Sequence, residues 1–294
     1  MWAKQKLLRF EKAEDKRIRT FDSERLFFSS PDKFNDLFDV VVDSLSDITH
    51  LLFDEERMKY ALAVLYQAPF KTEWPLSDDF MRLVYMWLAS DSEFKVIGET
   101  TDSDYEMTVR QPSIDEDELK KAITLLFKNI PVCCFFKSEV CDPLMWAHYA
   151  DQHNGYCVEY EVGVVGPNFF TLPVSYTTAK KSMNPLKFLM DPVLETERAL
   201  STKGHQWAHE KEVRLVSKFG HTGENQLPKG MKPTSVYIGY HMRDQQPKMF
   251  YHLIEVAERK GMKIYIMTAN KTSMTLTPTP WSTVKLIVET KKEH

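Results

Sequence analysis

The sequence predicts a mixed α+β domain with a helical insertion near its N-terminus. Three observations predict it. Short apolar runs of strand type open the chain, and after residue 131 strand-like and helix-like segments alternate. Between residues 40 and 130 the apolar residues instead recur every three or four positions, as on a helix face. No internal repeat, low-complexity tract or Pro/Gly-rich linker interrupts the 294 residues. A single domain over 1–294 is therefore expected, with the insertion at about 40–130.

The elements follow in order. "KQKLLRFEK" (4–12) reads as an early strand carrying Arg9, and "ERLFFSS" (24–30) as a second. "PDKFNDLFD" follows, and Pro31, Asn35, Asp36 and Asp39 make it a turn-rich loop. "DITHLLFDEERMKYALAVLYQ" and "DDFMRLVYMWLASDSEF" are spaced as helices, with a loop near 100–106. "PSIDEDELKKAITLLFKN" adds a third, with Ser113 as N-cap and acids in its first turn. "VCCFFKS" is a compact strand. "DPLMWAHYADQHNG" is a helix: Asp142 caps it, Pro143 suits its first position and Gly155 its stop. "YCVEYEV" and "LPVSYTT" are strands, and residues 184–206 a helix with a loop. "HQWAHEKEVRLV" (205–216) and "TSVYIGYHM" are strands, "QPKMFYHLIEVAERKGM" a helix, and "KIYIMTAN" a strand.

Composition narrows the function. A net charge of −4 gives no sign of a protein that coats nucleic acid or a membrane surface. "MWAKQKLLRFEKAEDKR" is charged from its start, and no apolar run approaches the ~18 residues of a membrane helix. Four cysteines without C-x-x-C spacing point to a reduced, cytoplasmic protein without a cysteine-held metal. No P-loop, G-x-G-x-x-G, H-E-x-x-H or G-x-S-x-G is present, which sets aside the enzyme classes those motifs build.

Three clusters can carry chemistry. On a strand, period-2 geometry puts Glu210, Glu212 and Arg214 on one face and Val213 and Leu215 on the other, although Lys211 fits that second face poorly. The face is either a solvated charged surface or a site, and spacing alone leaves both open. In "MWAHYADQH", Trp146 suits a core, while His148 and Tyr149 carry polar groups that need partners when buried. In "FNDLFD", Asn35, Asp36 and Asp39 shape a turn, or the acids Asp36 and Asp39 join Glu210 and Glu212 around a divalent metal.

"SSPDKFNDLFD", "VCCFFKSEVCDPLMWAHYADQHNGYCVEYEV", "LPVSYTT" and "KGHQWAHEKEVRLV" together resemble the bacterial domain-of-unknown-function 2971 family. Leu37 departs from that family's usual proline. By element order the chain also resembles the ADP-ribosyltransferase fold. That resemblance implies an ADP-ribosyltransferase-like mixed sheet, with NAD as substrate and an Arg on an early strand. It also implies a Ser beside the central strand–helix unit and a Glu-x-Glu on a later strand. Here these would be Arg9, Ser138, Glu210 and Glu212. Glu212 would stabilise the oxocarbenium-like state and Glu210 would serve the acceptor side. Arg9 or Arg214 would hold the pyrophosphate, and Trp207, Tyr149 or Phe135 would stack on a ring. His148, Asn35 and Asp36 complete the expected nucleotide-binding set. The acceptor would be a nucleic acid or protein, as in bacterial toxins and phage-defence effectors, or water in an NAD glycohydrolase. A nucleotide-sensing or protein-binding module without catalysis, and a metal-dependent nuclease using Asp36, Asp39, Glu210 and Glu212, are the alternatives.

Overall fold

The computed structural model describes residues 4–34, 36, 39, 93–99, 104–110, 129–178 and 192–290. In chain order the first elements are β1 (Gln5–Glu11), α1 (Asp15–Asp22), β2 (Arg25–Phe28), β3 (Glu93–Glu99) and β4 (Asp104–Arg110). Next come β5 (Val132–Phe136), α2 (Pro143–Tyr149), β6 (Tyr156–Val162), β7 (Phe169–Pro173), β8 (Ser175–Thr177) and α3 (Pro192–Leu200). β9 (Thr202–Gly204), a 3-10 helix (His205–Glu210), β10 (Glu212–Ser217), β11 (Gly223–Gln226) and β12 (Met231–Ile238) follow. The chain continues through α4 (Met242–Gln245), α5 (Pro247–Arg259), β13 (Lys263–Asn270), β14 (Thr275–Pro280) and α6 (Trp281–Thr290). No helix among the described residues is long and apolar enough to cross a membrane.

The chain divides into two compact units, one formed by Met1–Ser30, Pro131–Thr178 and Lys203–His294, the other by Pro31–Ile130 and Ala179–Thr202. The first is mixed α/β and is built on an eight-stranded mixed sheet of order β14-β13-β12-β6-β1-β5-β10-β7. β12 and β13 are parallel, with α4 and α5 making the crossover between them, and the other neighbours are antiparallel.

Strand alternation gives the sheet two buried faces. Leu7, Phe135, Val158 and Leu215 face a core closed by Ile18 and Phe21 of α1 and by Phe250, Leu253 and Ile254 of α5. Leu8, Phe10, Phe136 and Cys157 face a second core, closed by Met145, Trp146 and Ala150 of α2. α5 buries Phe250, Leu253, Ile254 and Val256, each worth roughly 1.5–3 kcal/mol as a large apolar side chain, together with Ala257. That burial, rather than helix propensity, holds the crossover on the sheet.

α2 begins as the sequence indicates: the Asp142 side chain accepts from Leu144 N at 2.9 Å and Pro143 takes the first turn. It stops at Tyr149, short of Gly155, because Asp151, Gln152 and His153 turn left-handed with φ of 47°, 53° and 69°. Gly155 serves close approach instead, since a Cβ there would lie 2.1 Å from the Glu11 carbonyl oxygen.

Within the expected insertion the second unit departs from the helical expectation at residues 93–99 and 104–110. β3 and β4 form an antiparallel hairpin, pairing Glu93 with Arg110 and Glu99 with Asp104. Residues 93–94 were expected to end a helix and 104–106 to sit in a loop. "DYEMTVR" alternates apolar and polar residues at every step, a period-2 signal that outweighs the helical spacing upstream. Apart from residues 129–130, the rest of the expected insertion lies outside the described residues. "LPVSYTT" also differs: it is two strands, β7 pairing with β10 and β8 with β9.

Candidate functional site

The stretch 205–216 is not one strand. His205–Glu210 winds as a 3-10 helix, Lys211 turns left-handed at φ 48° and ψ 50°, and extended backbone begins only at Glu212. Period-2 geometry therefore relates Glu212 to Arg214 but does not reach Glu210. The two carboxylates meet by another route. The Lys203 ammonium, brought in by β9, donates to Glu210 Oε2 at 2.7 Å and to Glu212 Oε2 at 3.0 Å.

Around this pair the network closes. Arg214 Nε donates to Glu212 Oε1 at 2.8 Å and Nη2 to Glu212 Oε2 at 3.3 Å. The Tyr149 hydroxyl of α2 donates to Glu210 Oε1. The Glu212 backbone N donates to the Tyr176 hydroxyl of β8 at 2.7 Å. Glu210 and Arg214 have no exposed surface, and Glu212 and Lys203 are 3% exposed. The charged face is thus buried, not the solvated surface that spacing alone allowed.

Two environments push the two carboxyls apart. Burial raises Glu210, and neither the Lys203 ammonium nor the Tyr149 hydroxyl fully offsets it. Burial opposes ionisation of Glu212 too, but there Arg214 and Lys203 win and hold it down at about 2. Tyr176 is pushed up to about 12, mainly by burial.

A group of rings stands beside Lys203. His148 and Trp207 meet edge to face with centroids 5.8 Å apart, and Trp207 stacks on His209 at 6.4 Å. The Lys203 ammonium lies 5.0 Å from the Trp207 ring centre. Buried Trp207 Nε1 and His209 Nε2 have no hydrogen-bond partner. Ser138 Oγ is also buried without a partner; it lies two residues past Phe136, which pairs with Glu212, and Lys137 N donates to Lys211 O at 3.0 Å.

Arg9 does not join this group. On β1 it alternates with Leu8 and Phe10, so it faces the side of Leu7, Cys133 and Phe135, whereas Glu212 and Arg214 alternate with Val213 and Leu215 and face the other side. Its guanidinium donates to Glu11 Oε1 at 2.6 Å, Cys133 Sγ at 2.7 Å, Cys134 O at 3.2 Å and Phe27 O at 3.1 Å. Phe135 shares that face and packs on Tyr160 at 5.6 Å, so it is no stacking partner for a ligand at Glu212. Trp146 is a core residue: fully buried, with Nε1 donating to Val140 O at 2.6 Å.

Asn35 lies outside the described residues, and Asp36 and Asp39, both 7% exposed, belong to the second unit. Among the described residues no three His, Cys, Asp or Glu side chains stand together as metal ligands. The four cysteines are free. Burial pushes Cys133 up to about 11 and Cys134 and Cys157 also well up, which favours the protonated thiol at these three.

Lys203 and Tyr176 are the partners that sequence reasoning missed. Lys203 sits in a strand of three residues, and nothing in its spacing to Glu210 marks it as their bridge. No curated protein and no solved structure matches the chain. Residues 145–215, the span from α2 to β10 that holds Tyr149, Lys203, Glu210, Glu212 and Arg214, match the model of a protein family of unknown function, DUF2971; the match takes in the quoted motifs from Met145 onward and leaves out "SSPDKFNDLFD".

Proposed function

We propose that the Glu210–Glu212 pair is the reactive centre of an enzyme that cleaves the nicotinamide–ribose bond of NAD and passes the ADP-ribosyl group to an acceptor. The observation that carries this reading is the unlike tuning of two carboxyls bridged by one lysine, Glu212 held at about 2 and Glu210 raised. An ionised Glu212 stabilises the positive charge that develops on the ribose as the bond breaks and its electron pair leaves with nicotinamide. Glu210, readier to take a proton, accepts the one that the attacking hydroxyl or amine loses, and water as acceptor makes the same chemistry a hydrolysis. Trp207, His148 and Tyr149 supply rings for stacking, and the unpartnered Trp207 Nε1 and His209 Nε2 supply polar atoms for a ligand. Arg9 has no part in this reading, because one ligand at Glu212 does not reach through the sheet.

One observation favours a second reading. Both carboxyls are already tied by Lys203, Arg214 and Tyr149 and are shut from solvent, as in a structural network under a binding surface. The chain would then be a nucleotide-sensing module.

The test incubates the purified chain with NAD, with and without nucleic acid and protein extract, and follows free nicotinamide and transfer of labelled adenylate. Release by the wild type that disappears in Glu212→Gln is the expected result. A folded wild type that binds NAD but releases nothing, with binding unchanged in Glu212→Gln, replaces the enzyme with the sensing module.

A further inference from the structure

The opposite face of the sheet carries a cleft that the carboxylate chemistry does not use. Arg9, Glu11, Arg17, Arg25, Phe27 and Tyr156 line it, with Thr20 and Tyr160. Its charges do not balance. Glu11 accepts from Arg9 at 2.6 Å and stands 3.7 Å from Arg17, so one carboxylate serves two guanidiniums. Arg25 is 3.7 Å from Glu224, whose other oxygen accepts from Thr20 at 2.8 Å. Lys16 adds a further cation, 5.6 Å from the Phe27 ring centre, and Arg17 covers the same ring at 4.2 Å. Against Glu11 and Glu224 stand Arg9, Arg17, Arg25 and Lys16.

A second, independent observation points the same way. Tyr156 is 1% exposed, lines the cleft, and its hydroxyl has no hydrogen-bond partner. A buried donor of this kind costs stability unless something accepts from it. An anion in the cleft would accept from Tyr156 and from the guanidiniums together, and planar guanidiniums match phosphate oxygens in pairs.

We propose that this cleft is a binding site for a phosphate group, free or carried on a nucleotide, held by Arg17, Arg25 and the Tyr156 hydroxyl over an Arg9–Glu11 floor. The site is separate from Glu210 and Glu212, which lie across the sheet. Phosphate binding is read without NAD, so this inference stands or falls apart from the NAD reading.

The test titrates the full chain with inorganic phosphate and, in parallel, with ADP at fixed ionic strength, followed by calorimetry. Saturable binding is expected, weakened about tenfold or more in Arg17→Gln, which loses one charged contact, and several-fold in Tyr156→Phe, which loses only the hydroxyl. Arg17 is half-buried on α1, so its variant is expected to fold, and circular dichroism checks this. Equal affinity for the two anions assigns the site to phosphate itself, and ADP binding more than about tenfold tighter assigns it to a nucleotide. Failure of both anions to saturate, or wild-type affinity in a folded Arg17→Gln, overturns the proposal.

Discussion

The two faces of the central sheet hold the same local device with opposite outcomes. β1 carries Arg9 and Glu11 two residues apart, joined at 2.6 Å; β10 carries Glu212 and Arg214 two residues apart, joined at 2.8 Å. Around the β10 pair, Lys203 and Glu210 add one charge of each sign, and the four groups shut out solvent. Around the β1 pair, Arg17 and Arg25 add positive charge at a cleft. The i,i+2 pair alone does not decide between a closed network and an anion site. The charges that neighbouring elements bring to it decide.

The sharpest way to break the comparison is Lys203→Met. Removing the bridge takes away the one ammonium that touches both buried carboxylates, and a loss of about 3–5 kcal/mol in folding stability is expected by urea denaturation. A loss below about 1 kcal/mol would mean that the network is looser than its geometry.

Acid titration comes next. Glu212 has its folded value depressed, to about 2 from 4.5, so its contribution is complete above the unfolded value and lost as pH falls through the folded one. Stability is expected to fall between about pH 5 and 2 by about 3 kcal/mol from this group, and the slope should flatten in Glu212→Gln. Glu210 works with the opposite sign: its folded value is raised, so ionising it costs stability as pH climbs past 4.5. An acid-unfolding curve of Glu212→Gln that overlays the wild type would remove Glu212 as the tuned member of the pair.

Tyr149→Phe takes away a hydrogen bond to Glu210 and leaves the ring packed against Phe136. A loss of about 1.5–3 kcal/mol is expected for a bond to a charged group, together with a further rise of the Glu210 pKa measurable by NMR titration. An unmoved Glu210 would show that the Tyr149 hydroxyl does not set its ionisation. The smallest effect belongs to the other face. Arg17→Gln breaks a 3.7 Å pair on a partly exposed side chain, so thermal unfolding should register under about 1 kcal/mol, while its effect on phosphate binding is large. A large stability loss there would make Arg17 a fold residue and blunt the contrast between the faces.

Much of the frame was legible from local pattern. The Asp142–Pro143 start of α2, the α5 amphipathic run and the alternation of β6 each rest on contacts within a few residues. The same holds for Glu212 beside Arg214. What local pattern missed has one cause in common. Reading 205–216 as a strand overlooked the left-handed Lys211, and the hairpin β3–β4 was hidden by helical spacing upstream. In both places two periodicities meet, and a window across the boundary averages them.

The sequence by itself determined that two acids and an arginine stand close along the chain near β10, that Arg9 sits on an early strand, and that residues 145–215 match the family model. Tertiary structure alone decided that Lys203 joins the two acids and that Arg9 faces away from them. Alternation tells which residues of one strand share a side. Which side that is, relative to another strand, depends on pairing across 124 residues or more, as from Arg9 to Cys133, and no local rule carries that far.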